Sequence, residues 1–257
     1  MRDLCASGES SRPVRRSTVE APPAGTAKMN RLPWPVNRVI RTWRLPAPGM
    51  EPAHPGRLPF TLAAADDDDA HAVRRGAPVR RLTIVPVGGA DAGLLEALAL
   101  ELDRRLGTVS APGEPLPLHE EWWDAERGRY RSGPIVDALL ARAERSGCDP
   151  RECWWLGVAE AELCAHEFDV VFGEATIAGP CAVVGLASLR APSADGIPAL
   201  WPRLVTSALH ELGHLAGAGH CADPGCVMFP SSHVADTDSK GNSFCEGCLG
   251  WIAPRQA

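Results

Sequence analysis

Apolar positions along this chain change their spacing from one segment to the next, and each spacing predicts a different element. Leu82-Thr83-Ile84-Val85-Pro86-Val87 is a short apolar run closed by Gly88-Gly89, which predicts a buried strand ending in a turn. From Asp91 the period lengthens. Leu94, Leu95, Leu98 and Leu102 recur at helical spacing, Asp91 can cap the first free amides, and Gly107 supplies a stop, so a helix is predicted over 91–106. Ile135, Val136, Leu139, Leu140 and Ala143 predict a second helix over 133–145. Residues 116–130 read as loop or edge strand, and the runs 154–158, 169–172 and 182–189 as three further strands. A third helix is predicted over 202–216, with Leu204, Val205, Ala208, Leu209, Leu212 and Leu215 on one arc facing the core. His210 and His214 fall on the opposite arc, toward a cleft. Strands alternating with helices give an α/β fold with a mixed sheet.

That polar arc carries the chemistry. Residues 210–220 spell His-Glu-Leu-Gly-His-Leu-Ala-Gly-Ala-Gly-His, or H-E-x-x-H-x-x-G-x-x-H. Residues four apart lie one helical turn apart, so His210 and His214 can share one metal ion. Gly217 can take positive φ and turn the chain out of the helix, bringing His220 to a third corner and leaving the fourth open for water. Zinc in such a site lowers the pKa of bound water from about 16 to about 7, and Glu211, beside the first ligand, is placed to act as general base. Hydrolysis of a peptide bond is the function this pattern predicts.

Cys221 adjoins the third histidine, Cys226 follows, and Cys245-Glu246-Gly247-Cys248 forms a C-x-x-C knuckle. Four thiols in two close pairs suit a second, structural zinc with no open position, holding together a polar segment too poor in apolar residues to fold alone. Two disulfides or free thiols are the alternative, disfavoured because the chain shows no secretory segment.

These residues resemble the archaemetzincins, a branch of the metzincin metalloproteases: the motif at 210–220, the adjoining Cys221, the C-x-M step Cys226-Val227-Met228 and the closing Cys245-x-x-Cys248. The resemblance covers roughly residues 80–252. It implies a metzincin-like zincin domain with a mixed twisted sheet, a catalytic zinc helix and a small C-terminal zinc subdomain built on four cysteines. It further implies His210, His214 and His220 as ligands of a catalytic zinc, Glu211 as base, and Cys221, Cys226, Cys245 and Cys248 as ligands of a structural zinc. Met228 would be the Met-turn methionine, an apolar floor beneath the histidines. Phe172-Gly173-Glu174-Ala175 and Ala182-Val183-Val184-Gly185 resemble the strands that precede the catalytic helix. Residues 170–175 would be the edge strand that pairs with an extended peptide or protein substrate.

Composition bounds this picture. A net charge of −6 argues against nucleic acid. No apolar run is long enough to span a membrane and no signal-peptide core opens the chain, which predicts a cytoplasmic protein. Of nine cysteines, Cys148, Cys153, Cys164 and Cys181 are expected to be simply buried thiols. Residues 1–79, rich in proline and arginine, read as a disordered arm, and residues 80–257 as the protease domain. Trp34, Trp43 and Phe60 lie in that arm as a candidate docking segment, Asp66 to Asp69 as a solvated linker. Met29 and Met50 are alternative starts. Tyr130, Trp122 and Trp123 are expected to pack, and His119 and His166 to be ordinary surface residues. His233, lying between the cysteine pairs, is a candidate substitute ligand. A zinc-stabilised binding module without turnover is the competing function. It has no need of a carboxylate at position 211.

Overall fold

The structure, a computed structural model, describes residues 80–166, 168–192 and 199–252. The arm over 1–79, with Trp34, Trp43, Phe60 and the acidic run, lies outside the described residues.

Strand β1 (Arg81–Val87) shows why the sheet is buried on both faces: Leu82 and Ile84 point into one apolar cluster, Val85 and Val87 into another. The same alternation recurs in β5 (Cys153–Ala159) and β9 (Cys181–Gly185). With β2 (Val109–Pro112) and β8 (Gly173–Ala175) these strands form a five-stranded sheet in the order β2-β1-β5-β9-β8. The first four are mutually parallel, and β8 runs antiparallel to β9 at the edge.

Helix α1 (Ala92–Leu106) covers one face with Leu95, Leu98 and Leu102. Its ends follow the sequence: the Asp91 side chain accepts from Leu94 N at 2.8 Å, and Gly107 leaves at φ 65°. Helix α2 (Ser132–Ser146) covers the other face with Ile135, Val136, Leu139 and Ala143. Between them, in the region read as loop or edge strand, lie a short 3-10 turn (Glu120–Trp122), β3 (Trp123–Asp124) and β4 (Arg129–Arg131). With β6 (Leu163–Ala165) and β7 (Phe168–Val171), β3 and β4 make a small second sheet, β3-β4-β6-β7.

Two strand predictions need correction. The apolar run 182–189 is a strand only to Gly185, after which α3 (Leu186–Leu189) turns as a helix, with Ala187 N donating to Ala161 O. Leu186 and Leu189 are fully buried either way, and an apolar run does not by itself distinguish a strand from a buried helical turn. Residues 170–175 are likewise not one edge strand. The chain leaves the small sheet at Val171 and joins the large one at Gly173, so only β8 borders the large sheet.

Cys148 and Cys153 are also not free thiols: they form a disulfide across the turn between α2 and β5, while Cys164 and Cys181 are buried thiols as expected. The pairing brings together two residues with a Cα–Cα separation of 6.1 Å, ordinary for a disulfide. Tyr130 is partly buried, its ring edge-on to Trp123 at 5.1 Å, and Trp122 is buried.

Helix α4 (Leu200–Leu215) packs beside α1 on the first face, against β8 and β9. The sequence predicts one apolar arc and one cleft-facing arc, but burial extends nearly all round: Arg203, Thr206, Ser207, His210 and Glu211 are buried with the leucines. The C-terminal segment, carrying α5 (Val234–Ser239) and α6 (Glu246–Ile252), wraps the polar side that the periodicity left open. Arg203 secures that wrap, its guanidinium meeting Asp238 of α5 through two bonds of 2.6 Å and Leu189 O at 2.9 Å. Among the described residues no helix is long and apolar enough to cross a membrane.

Candidate metal centre and active site

The last turn of α4 and the turn after it bring three imidazoles together. His210, His214 and His220 each offer a ring nitrogen, and the three atoms lie within 4.8 Å of one another. The Nε2 atoms of His210 and His214 are 3.1 Å apart, close to the edge of about 3.3 Å expected when two nitrogens share a tetrahedral zinc. Main-chain carbonyls set this orientation. His210 Nδ1 meets Val227 O at 2.8 Å and His214 Nδ1 meets Ala218 O at 2.9 Å. A carbonyl only accepts, so Nδ1 carries the hydrogen in both rings and each Nε2 turns a lone pair inward. Two facing lone pairs repel, and a cation between them relieves the repulsion. The donor set fits zinc.

Gly217 does what its place in the motif requires. At φ 99° it turns the chain out of α4, its amide donating to His214 O, and the next residue supplies the carbonyl that orients His214. Burial keeps these rings neutral: it pushes His210 well below the ordinary histidine range and His220 down to about 4, and it lowers His214 as well. Neutral imidazoles are the form that binds metal.

Glu211 lies beside the first ring, and the backbone of the edge strand passes directly over it. A Cβ on Gly173 of β8 would stand 2.5 Å from Glu211 Oε1, so the absence of a side chain there is what admits the carboxyl group. Burial raises the Glu211 carboxyl to about 8; the Lys240 ammonium opposes that rise and the Glu174 carboxylate adds to it. Met228 lies beneath the helix, where any Cβ on Gly213 would collide with its Sδ. It is fully buried.

Cys221, Cys226, Cys245 and Cys248 form the second cluster, their sulfurs also within 4.8 Å of one another. Cys221 Sγ and Cys245 Sγ are 3.8 Å apart, matching the edge of about 3.8 Å for two thiolates on a tetrahedral zinc. Main-chain amides of Met228 and Cys245 point at Cys226 Sγ from 3.4 and 3.3 Å. The two clusters are joined through three consecutive residues. Cys226 belongs to the sulfur cluster, Val227 O orients His210, and Met228 underlies Gly213.

His233 does not join either cluster. It is exposed at the N-terminus of α5, where its amide donates to Asp236 Oδ2 at 2.8 Å. His119 packs edge-on against Trp122 at 4.5 Å. Lys240, buried with its ammonium 3.3 Å from His210 Nδ1, carries no signal in the sequence, and neither do Arg203 and Asp238. No local spacing announces them. A buried lysine or arginine is visible only once its surroundings are folded.

Comparison with known proteins agrees with the motifs. Residues 153–253 match the family model for Peptidase family M54. The archaemetzincin of Methanocaldococcus jannaschii is 31% identical over 182 residues, spanning 69% of this chain and 95% of that protein. The archaemetzincin of Methanopyrus kandleri is 35% identical over 144 residues, spanning 56% of this chain and 77% of that one. The crystal structure of the M. kandleri protein superposes with a TM-score of 0.57 at 29% identity, covering 70% of this chain and 96% of that chain. That of the Archaeoglobus fulgidus protein, complexed with malonate, gives 0.56 at 27% identity over 66% and 99%. By sequence and fold, this chain belongs to the archaemetzincin family of zinc metallopeptidases.

Proposed function

We propose that His210, His214 and His220 hold a catalytic zinc, that Glu211 is the general base for hydrolysis of a peptide bond, and that Cys221, Cys226, Cys245 and Cys248 hold a second, structural zinc. The observation that carries the reading is the pair of inward-facing Nε2 atoms 3.1 Å apart, each fixed by a carbonyl on its far side. Zinc held there supplies Lewis acidity, loosening a proton of water in the open position and polarising a substrate carbonyl.

The chain's own residues do the rest. Glu211, with a carboxyl raised to about 8 by burial when no metal is present, is suited to take a proton from the attacking water and pass it to the departing amine. A bound cation nearby draws that value down, toward the range where a base works at neutral pH. The substrate is a peptide. Strand β8 pairs with β9 on one side only among the described strands, and its Gly173 backbone lies on Glu211, which supports an extended peptide lying along β8 across the metal. We place the protein in the cytoplasm, where a reducing milieu keeps the four clustered thiols available to metal. The Cys148–Cys153 disulfide runs against that placement, and alkylation of free thiols on protein taken directly from cells tests it.

Glu211→Gln tests the function. The variant keeps the parent's zinc content, about two ions per chain, and loses at least about a hundredfold in peptide cleavage. A fully metallated parent that cleaves nothing in a broad peptide library overturns the protease reading in favour of a zinc-stabilised binding module.

A further inference from the structure

His210 has a second polar neighbour on its outer edge. Lys240, at the C-terminus of α5, is only 8% exposed. Its Nζ donates to Phe229 O at 2.9 Å and lies 3.3 Å from His210 Nδ1. Because Nδ1 already donates to Val227 O, the ammonium adds no hydrogen bond to the ring, and what it exerts there is a field. The titratable groups around the ammonium are His210, His214, His220, Glu211, Asp236 and Cys226. Asp236 is engaged elsewhere, its Oδ2 accepting from the amides of Ser232 and His233.

Packing does not account for this residue. Removing an ammonium from water is costly, and one carbonyl acceptor is thin compensation, so a methionine or leucine would fill the same space at less cost.

We propose that Lys240 is a positioning residue for the metal site: anchored on Phe229 O, it holds a positive charge behind His210, weakening that ring as a donor and leaving the bound cation a stronger Lewis acid. The inference rests on the three-histidine zinc reading. A fixed positive charge on the far side of a ligand makes metal binding looser and the metal more acidic, so the two effects must appear together.

Three variants of the full chain separate charge from packing. Lys240→Gln can keep the hydrogen bond to Phe229 O without the charge, Lys240→Met removes both, and Lys240→Arg retains the charge. The probe is zinc, competed against a chelator of known affinity while the sulfur cluster stays loaded. The Gln and Met variants are expected to hold the histidine-site zinc at least about tenfold more tightly. The acidic limb of kcat/KM should move to higher pH in both, with the Arg variant close to the parent. An unchanged or weaker zinc affinity in Lys240→Gln overturns the inference, as does failure of both neutral variants to fold, which makes Lys240 a structural residue only. A parent chain that takes up zinc at the sulfur cluster and none at the histidines overturns the three-histidine reading itself, and this inference with it.

Discussion

Gly213 stands between His210 and His214 in α4, with Met228 Sδ packed where a Cβ would be. Gly213→Ala is therefore predicted to cost about 1–3 kcal/mol in chemical denaturation, the usual penalty of overpacking, although alanine is the better helix former. A gain in stability would mean that the methionine moves aside freely. Proton binding offers a second test at this scale. In the metal-free chain His220 titrates at about 4, below the 6.5 of a free imidazole, and His210 and His214 shift the same way. The unfolded chain therefore binds these protons first. The stability contribution is whole above about 6.5 and is lost as pH falls toward 4. Glu211 acts in the opposite sense. Raised to about 8, it contributes most below 4.5 and loses that contribution as pH rises through 8. In a Glu211→Gln background the opposing carboxyl is gone, and the melting temperature of the metal-stripped protein should fall steadily between pH 6.5 and 4. A flat profile over that range would show the histidines to be solvated rather than buried.

Among the elements, α4 depends on contacts its own sequence does not announce. The leucine arc and the glycine exit are legible, because helical period and positive-φ glycine are local properties. What is not legible is that the other arc is covered too. That depends on Arg203 meeting Asp238 35 positions on and on His210 meeting Lys240 30 positions on, and no periodicity encodes such pairings. The split of 170–175 between two sheets is illegible for the same reason, since strand partners are chosen across the chain rather than within a segment. Asp238→Ala would remove the carboxylate that meets the buried Arg203 guanidinium, and is predicted to lower stability by about 3 kcal/mol by thermal or denaturant unfolding. A change below about 0.5 kcal/mol would mark the pair as incidental.

Over the whole molecule, the two clusters are one mechanical unit. Residues 226–228 give a thiol of the sulfur cluster, the carbonyl that orients His210 and the methionine packed at Gly213 in succession. The spacings of the four cysteines and three histidines make both clusters readable in advance, whereas their coupling emerges only from the fold. Cys226→Ser is accordingly predicted to lose the sulfur-bound metal and also to weaken zinc at the histidines and abolish cleavage. His214→Ala is predicted to lose only one metal and keep the fold, as metal analysis alongside circular dichroism would show. Equal independence of the two sites would contradict the coupling.

The most direct measurement is anomalous diffraction at the zinc absorption edge from crystals of the protein as purified. Two peaks are predicted, one among the sulfurs of Cys221, Cys226, Cys245 and Cys248, and one about 2.0–2.1 Å from a nitrogen of each of His210, His214 and His220 with no side chain in the fourth position. The absence of a peak between the three rings, or a peak there closed off by a fourth protein ligand, would contradict the account.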